Sequence, residues 1–317
     1  MLKERIKEAS GLAGFCCCGI AAAEQMTDAE ERFRLWLAEG NHAAMKYLER
    51  DPTRRFNPAM AVPGARSVIM LALPYGDAES ATANTSGIAM YAWGEDYHHR
   101  LPVMGEPIME ILKDADSGGK SKFFTDSGFM PERSLAVKAG LGWIGKNGTL
   151  ITPSHGSMVY LAAIVTTMAL LPDQPFTANH CGECTLCMEA CPTNAIMSPG
   201  LVNARNCIAY HTNSSNEPTI PEAITSRMNG QIYGCDICQA VCPWNNRSRL
   251  TNRREYRYPE HWPKHPTAWA DKDEKWFQET FGGSALEDTG FKRMMRNVDA
   301  VLQRDSSGDS PQANAAI

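Results

Sequence analysis

The pattern of hydrophobic and polar positions predicts alternating helices and strands over the first 170 residues. Residues 1–15 place Leu2, Ile6 and Ala9 on one side of a helix, as helical periodicity requires. A second helix is predicted over residues 27–45, where Thr27 and Glu30 have the spacing of an N-terminal capping box. Continuous apolar runs predict buried strands at residues 15–20, 67–73 and 160–167.

Residues 102–149, between the second and third of these strands, contain polar positions and glycines that could form a functional site. An amphipathic helix is predicted over residues 102–114, and a strand over 122–126 ends in the carboxylate of Asp126. A further helix is expected to begin near Glu132. Residues 140–149 hold four glycines, which let a backbone approach a ligand closely, but they do not match a nucleotide phosphate loop. Residues 274–302 are predicted to be helical in two pieces.

Composition indicates an ordinary globular protein that is long enough for about two domains. Hydrophobic residues make up 43% and charged residues 21% of the 317 positions, and the formal net charge is -5. That charge excludes a polycation, so any contact with nucleic acid must come from a local basic face. No apolar run approaches the roughly 18 to 20 residues of a membrane span, and the charged N-terminus does not resemble a signal peptide. We therefore expect a cytoplasmic protein.

The chain has 11 cysteines, which in that compartment predict reduced thiols or metal ligands rather than disulfides. Cys16, Cys17 and Cys18 are adjacent within a predicted strand. Adjacent strand residues point to opposite faces, so these three are not expected to converge on one metal. They are interpreted as small buried hydrophobic residues.

A second group of cysteines has the spacing of an iron–sulfur motif. Cys181, Cys184 and Cys187 are three apart, and Cys191 follows four later with Pro192 behind it. This is the bacterial ferredoxin run, whose fourth cysteine usually ligates the other cluster of a pair. Structural zinc sites also use paired cysteines, but zinc would not explain the run that ends in Cys-Pro.

A second half-motif, Cys235, Cys238 and Cys242 before Pro243, completes the count, together with Cys207. Eight cysteines suffice for two 4Fe–4S clusters, and the cysteines that precede proline cross over in a ferredoxin-like arrangement. The first cluster is then expected on Cys181, Cys184, Cys187 and Cys242. The second is expected on Cys191, Cys207, Cys235 and Cys238. Backbone N–H groups in the short turns between ligands are expected to face the sulfurs.

About 170 residues precede the cysteines, and we expect them to bind whatever receives the electrons. Asp126 is the most suggestive carboxylate there, because it follows Phe123 and Phe124. Apolar surroundings raise the pKa of a carboxyl group and favour the protonated form of a general acid. An ordinary helix cap or loop aspartate is the alternative. Asp96 and His98 begin like the motif whose histidine ligates cobalamin, but its glycine is missing.

Several rarer segments can then be combined: residues 51–58 (DPTRRFNP), 63–69 (PGARSVI), 91–98 (YAWGEDYH), 125–128 (TDSG), 132–133 (ER), 139–147 (AGLGWIGKN) and 180–244. Together, and in this order over about residues 1–300, they resemble the epoxyqueuosine reductases. That family converts the epoxyqueuosine nucleoside of tRNA to queuosine with cobalamin and two 4Fe–4S clusters, and it is related to reductive dehalogenases. The resemblance covers most of the chain and is more specific than the cysteine run alone.

The resemblance implies an α+β fold in several parts. An α/β cobalamin- and substrate-binding domain is expected over residues 1–170, and a ferredoxin-like domain with two clusters over 171–248. A basic loop and a helical segment would follow over 249–303, with a disordered tail over 304–317. Cobalamin would lie base-off between the first two domains, which agrees with the missing histidine motif. The implied partners are tRNA that carries epoxyqueuosine in its anticodon loop and an external electron donor; a monomer without membrane attachment is expected.

The family's functional positions carry over residue by residue. Asp126 matches the proton donor, which would protonate the epoxide oxygen while reduced cobalt opens the ring. The implied cobalamin contacts are Arg55, Met90, Asp126, Leu150, Ala209, Cys235 and Asp236.

Residues 245–265 combine a basic stretch with Tyr256, Tyr258 and Trp262, which suggests charge and stacking for a single-stranded anticodon loop. A solvated loop is the alternative. Longer family members add a C-terminal helical repeat domain, so we expect this chain to hold tRNA with less protein.

Two other functions fit parts of the sequence. A plain electron-transfer protein would bind iron and sulfide but no corrinoid. A reductive dehalogenase-like enzyme acting on a small organohalide would also use a corrinoid, but that reading predicts an export signal, which the N-terminal residues do not show.

Overall fold

The computed structural model describes residues 2–127, 129–247 and 257–306. Its helices are α1 (Leu2–Ala13), α2 (Thr27–Ala38), α3 (Pro52–Arg55), α4 (Pro58–Ala61), α5 (Ala78–Ala83), α6 (Tyr97–Ala115), α7 (Glu132–Lys138), α8 (Leu186–Glu189), α9 (Glu222–Thr225), α10 (Ile237–Ala240), α11 (Glu274–Phe281) and α12 (Phe291–Ser306). Its strands are β1 (Cys17–Ala22), β2 (Ser67–Pro74), β3 (Ser121–Phe124), β4 (Trp143–Ile144), β5 (Leu150–Ile151), β6 (Val159–Thr166), β7 (Ile196–Ser198) and β8 (Leu201–Val202). The expected α+β class is confirmed.

A four-stranded sheet in the order β1-β2-β6-β3 forms the centre of the first part, and its neighbouring strands are antiparallel. Successive residues of β2 face opposite sides, with Ile69 and Leu71 in one core cluster and Val68 and Met70 in the other. Every residue of β2 is buried. The strand therefore reads as a continuous apolar run, since both faces of the sheet are covered by helices.

Helices α1 and α6 cover one face of the sheet, and α7 covers the other. Asp96 begins α6 by accepting a hydrogen bond from the N–H of His98 at 2.9 Å through its side chain. The helix thus starts five residues before the position that the sequence predicted, because this aspartate acts as the N-terminal cap. As a consequence, the polar side chains of Tyr97 and His98 sit on the first turn of a helix.

The predicted capping box at the start of α2 is wrong. Thr27 is the first helical residue, the preceding Met26 makes no side-chain cap, and the helix ends at Ala38. Glu30 instead pairs with Arg34 at 2.7 Å, one helical turn away. An exposed pair of this kind stabilises a helix by about 0.5 kcal/mol at most, so α2 depends mainly on packing.

The cysteine section, residues 180–243, consists of short helices and one small hairpin, β7–β8. Backbone hydrogen bonds attach it to the sheet domain: Ala89 N–H donates to Tyr233 O at 2.8 Å, and Ile232 N–H donates to Gly87 O at 2.7 Å. On its other side, the fully buried Asn297 of α12 donates to the carbonyl oxygens of Thr212 and Ile232. The section is therefore held between the sheet domain and the C-terminal helices.

The region expected to stack on RNA bases is only partly described. Arg249, Arg253, Arg254 and Tyr256 lie outside the described residues, as does the predicted disordered tail from residue 307 on, whereas α12 itself continues to Ser306. Trp262 is only 4% exposed, and its indole donates to Thr280 O at 3.0 Å. Its predicted role as a stacking surface is wrong, because the ring packs into the C-terminal core against Phe281.

Among the described residues, no helix combines the length and apolar character that crossing a membrane would require.

Candidate active site and iron–sulfur centre

Asp126 lies two residues beyond β3, directly after the buried Phe124 and Thr125. Its φ of 42° is in the left-handed region, which residues other than glycine seldom adopt. The N–H of Asp126 donates to Glu132 Oε1 at 2.8 Å, so the first residue of α7 holds this backbone in place. A non-glycine residue held in such a conformation is typical of functional sites.

Two residues from the start of α6 contact the Asp126 carboxylate. Tyr97 Oη donates to Asp126 Oδ2 at 2.8 Å, and His98 Nε2 lies 3.8 Å from the same oxygen. The other ring nitrogen of His98 is 2.7 Å from Asp96 Oδ1. The Asp126 side chain remains 70% exposed, so it is contacted by protein on one side and open to solvent on the other. The imidazole therefore bridges two carboxylates, of which only Asp126 has an exposed side chain.

This environment shifts the pKa values of Asp126, His98 and Glu132, and the shift of Asp126 is opposite to the expected one. The interaction with His98 holds the pKa of Asp126 below its ordinary value, and the hydrogen bond from Tyr97 acts in the same direction. The expectation that apolar neighbours raise the pKa of Asp126 is wrong, because these polar contacts outweigh the neighbouring phenylalanines. Interactions with Asp126 and Asp96 raise the pKa of His98 to about 9. Burial, with the charge of Asp126 in addition, raises the pKa of Glu132 to about 8.

A line of tyrosine rings runs from this site toward the cysteine section. Tyr97 stacks on Tyr160 with ring centroids 4.5 Å apart, and Tyr160 packs on Tyr75 at 4.7 Å. Tyr75 Oη accepts a hydrogen bond from Gln239 Nε2 at 3.2 Å. Gln239 belongs to α10, which includes Cys238. Direct contacts thus connect the Asp126 site with the second half-motif.

Two of the positions implied as cobalamin contacts, Asp236 and Arg55, have buried polar atoms that could bind a polar group of the cofactor. Met90 N–H donates to Asp236 Oδ2 at 2.6 Å, while the buried Oδ1 of Asp236 has no hydrogen-bond partner within the described chain. Burial raises the pKa of Asp236 to about 6. The guanidinium of Arg55 lies over Phe33 and Phe129, and its buried Nε likewise lacks a partner among the described residues. Unpaired buried polar atoms are costly, so both side chains fit a bound polar group.

Leu150 and Ala209, the other two implied contacts, differ in character. Leu150 is 2% exposed and packs in the core with α7 as part of the β4–β5 hairpin. Ala209 precedes a single π-helical turn, Tyr210–Ser214, and its backbone N–H interacts with the thiol of Cys207. Leu150 can offer only apolar or backbone contact, and Ala209 lies at the edge of the thiols.

Most electrostatic contacts among the eight cysteines of this section fall within two groups of four. Burial raises the pKa of Cys187, and the neighbouring Cys242, Cys181 and Cys184 raise it further. The second group shows the same pattern. After burial, the pKa of Cys235 is raised by Cys207 and Cys191, and that of Cys238 by Cys235 and Cys207, with a smaller contribution from Cys187 of the first group. The crossed ferredoxin spacing predicted these groups, and the assignment of each group to one cluster stays a prediction.

Hydrogen-bond donors surround both groups of sulfurs. The indole of Trp143 donates to Cys181 Sγ at 3.5 Å, and Ala195 N–H donates to Cys191 Sγ at 3.2 Å. Backbone N–H groups of Trp244 and Asn245 interact with the thiol of Cys242. Donors of this kind stabilise thiolates and tune the potential of an iron–sulfur cluster. A cavity of about 230 Å³ lies among the first group, lined by all four of its cysteines.

Sequence reasoning overlooked Tyr97, His98 and Glu132 as parts of the Asp126 site. His98 was considered only as a cobalt ligand, although Asp96 two residues earlier marks the start of a helix. Glu132 opens α7 and could have been found as the carboxylate that follows Asp126 in the chain. Cavity size would not have located this site either, because a cavity of about 910 Å³ lies elsewhere, against α12 and residues 218–226.

Two groups of four cysteines beside an acid–base site define an iron–sulfur oxidoreductase. The family described as 4Fe-4S double cluster binding domain matches residues 180–245, and the family described as Epoxyqueuosine reductase QueG, DUF1730 matches residues 55–127. The epoxyqueuosine reductase of Gloeobacter violaceus is 38% identical over 96% of this chain and 97% of its own. That of Cyclobacterium marinum is 35% identical over 93% and 95%. The chain belongs to the epoxyqueuosine reductase family.

Solved structures agree with this assignment. A crystal structure of epoxyqueuosine reductase with an epoxyqueuosine-modified tRNA-Tyr stem loop superimposes with a TM-score of 0.87 at 30% identity, over 97% of this chain and 82% of that one. The enzyme from Bacillus subtilis, in a structure with its catalytic loop swung out of the active site, gives 0.85 at 28% identity with the same coverage.

Proposed function

We propose that this chain reduces epoxyqueuosine to queuosine in the anticodon loop of tRNA, in the cytoplasm. The observation that carries the proposal is the Asp126 carboxylate, open to solvent, contacted by Tyr97 and His98 and connected through stacked tyrosines to the second group of cysteines. Net conversion of an epoxide to an alkene takes two electrons and two protons and releases the oxygen as water. The site therefore has to deliver protons at the place where electrons arrive.

The cofactors are assigned to the residues that fit them. Cys181, Cys184, Cys187 and Cys242 would hold one 4Fe–4S cluster, and Cys191, Cys207, Cys235 and Cys238 the other. Arg55, Met90, Leu150, Ala209 and Asp236 would hold cobalamin, with the unpaired atoms of Arg55 and Asp236 as its polar partners. When bound, the clusters pass electrons from an external donor to cobalamin, which supplies the reducing centre for the epoxide carbon.

The protein's own contribution is a supply of protons at Asp126. Because the pKa of His98 is about 9 and that of Glu132 about 8, both side chains are mostly protonated at neutral pH. Asp126 itself is ionised, so it has to receive a proton before it can donate one. His98 Nε2 lies 3.8 Å from Asp126 Oδ2, so a small approach to hydrogen-bond distance would let His98 replace the proton that Asp126 gives to the epoxide oxygen. Asp126 then acts as the last donor of a short relay.

We infer that Asp126 can also leave this position. Its left-handed φ is held by a hydrogen bond to Glu132, and residues 127–131 lead from it to α7. The Bacillus subtilis relative has a structure in which the catalytic loop is swung out of the active site. A corresponding displacement here would break the contacts of Asp126 with Tyr97 and His98 and open the site for a nucleoside.

The test is reduction of a tRNA stem loop that carries epoxyqueuosine, using holoprotein with both clusters and added cobalamin under a chemical reductant. Nucleoside analysis is expected to show conversion to queuosine, and omission of cobalamin is expected to abolish it. Holoprotein that contains both clusters and a base-off corrinoid but leaves epoxyqueuosine unchanged would overturn the proposal. Conversion without any corrinoid would overturn the cofactor assignment alone.

A further inference from the structure

Cys16, Cys17 and His155 form a cluster of side chains of the types that bind metals, and none of them belongs to the eight cysteines of the iron–sulfur section. One potential ligand atom from each of the three lies within 4.8 Å of the other two. The two thiol sulfurs are 3.7 Å apart. All three side chains are partly buried, which limits competition from water.

The argument that adjacent cysteines must diverge fails here for a local reason. Cys16 lies in a bend before β1, so only Cys17 and Cys18 obey the alternation of a strand. Cys17 accordingly packs with the core cluster on one face of the sheet and Cys18 with the cluster on the other. Cys16 donates its N–H to Ala72 O of β2 at 2.8 Å, but it lies in the bend and packs against the same core cluster as Cys17. The expectation that the three cysteines cannot converge is therefore wrong for Cys16 and Cys17. It holds for Cys18, which faces the other side of the sheet.

The sulfur–sulfur distance suits a single tetrahedral ion. Zinc binds thiolate at about 2.3 Å, so two sulfurs at a tetrahedral angle are about 3.8 Å apart. The 3.7 Å between Cys16 and Cys17 matches that edge. Two thiolates with one imidazole are a ligand set that zinc uses, and the soft sulfurs disfavour magnesium and calcium. The fourth position would be taken by water.

The place of the cluster in the fold would let such an ion link two segments. His155 lies in the loop between β5 and β6, where Ser154 Oγ is 2.8 Å from its Nδ1 and fixes the ring orientation. The next residue, Gly156, has φ of 65°, and a Cβ there would be 2.1 Å from Asn245 Oδ1. Ser157 N–H donates to the same Asn245 oxygen at 2.6 Å. The loop therefore packs directly against the end of the second cysteine half-motif.

We propose that Cys16, Cys17 and His155 bind one zinc ion, which ties the start of β1 to the loop that holds the iron–sulfur section against the sheet domain. The inference is independent of the proposed function, because it needs neither cobalamin nor tRNA. The binding is a ligand exchange without electron transfer: two thiols lose their protons to solvent, and zinc loses water.

The test uses holoprotein whose clusters are intact, equilibrated with buffered zinc under reducing conditions and then desalted. We expect about one zinc per chain in addition to the cluster iron. Zinc-edge X-ray absorption, which iron does not obscure, is expected to show two sulfurs at about 2.3 Å and one imidazole nitrogen at about 2.0 Å. The variants Cys17→Ser and His155→Gln should each lower retained zinc at least about tenfold.

Cys18→Ser is the matched control, because it removes a neighbouring thiol on the opposite face and should leave zinc content unchanged. His155→Gln keeps both thiols and alters only a loop, so it remains informative if Cys17→Ser fails to fold. Equal zinc in wild type and in both variants, or a shell of four sulfurs, would place zinc at the cluster cysteines and overturn the proposal. A protein that binds no zinc, with Cys16 and Cys17 joined in a disulfide or simply reduced, would overturn it as well.

Discussion

The iron–sulfur section and the Asp126 site are built in opposite ways. Seven of the eight cysteines come from two short runs, so their spacing along the chain already determines which sulfurs can meet. The Asp126 site combines residues from the end of β3, the start of α6 and the start of α7, and it exists only after the sheet has formed. The first kind of site is encoded locally, whereas the second depends on tertiary structure. The two should therefore respond differently to substitution.

The largest effect is expected from loss of a cluster ligand. Cys238→Ala should remove the second cluster, lowering iron from about eight to about four atoms per chain, and should abolish reduction of epoxyqueuosine. Iron and sulfide analysis together with the tRNA assay would measure both. Cys18→Ala, outside the section, should retain about eight iron atoms. Full iron content in Cys238→Ala would mean that the grouping of thiols does not define the ligand sets.

Asp126→Asn should affect chemistry without affecting assembly. Because the amide cannot pass on a proton, we expect kcat to fall by about 10² to 10⁴, with iron and bound cobalamin unchanged. Single-turnover conversion of the modified stem loop would measure the loss. Asp299→Asn, an exposed position on α12, is the control and should be fully active. An Asp126→Asn enzyme with wild-type turnover would remove Asp126 from the mechanism.

The contrast between the two regions also explains what could be predicted from sequence. The buried strands follow from local apolar pattern, and the grouping of Cys191 and Cys207 with the second half-motif is a prediction from spacing and count, whereas the α+β class was implied by the family resemblance. The pKa of Asp126 could not be predicted, because Phe123 and Phe124 precede it in the chain while Tyr97 and His98 reach it from another helix. The convergence of Cys16 with Cys17 depended on a bend that apolar character does not reveal.

His98→Gln should destabilise the Asp126 site in a way that depends on pH, which the iron–sulfur section should not share. The pKa of His98 is raised from 6.5 to about 9, so its ion pairs stabilise the fold fully below pH 6.5 and lose that effect as pH rises through about 9. The Asp126 carboxylate, whose pKa is lowered, loses its contribution only at acid pH, outside this window.

Wild type should also lose turnover above about pH 9, because His98 then no longer resupplies Asp126 with a proton.

Thermal unfolding of cluster-loaded wild type and His98→Gln between pH 6.5 and 9.5 would measure how much the His98 ion pairs stabilise the fold. The difference in Tm should shrink as pH rises, with equal iron content in both proteins. A difference that grows with pH would contradict the assigned protonation state. His265→Gln, at the exposed residue that precedes the short helix Pro266–Trp269, is the matched control for loss of an imidazole.

The smallest effect is expected at Tyr160, in the tyrosine line between the two regions. Tyr160→Phe removes the hydrogen bond from Oη to Tyr91 O at 2.7 Å but keeps the ring stacked on Tyr97 at 4.5 Å. The free energy of unfolding should fall by about 1 kcal/mol, and turnover should stay within about threefold of wild type. Tyr47→Phe, at a tyrosine that is 53% exposed, should change stability by less than about 0.5 kcal/mol. Tyr160→Phe could instead lose iron, or lose turnover as Asp126→Asn is expected to do. The Tyr160 hydroxyl would then take part in the reaction, and the iron–sulfur section and the Asp126 site would form one site rather than two that are joined by packing.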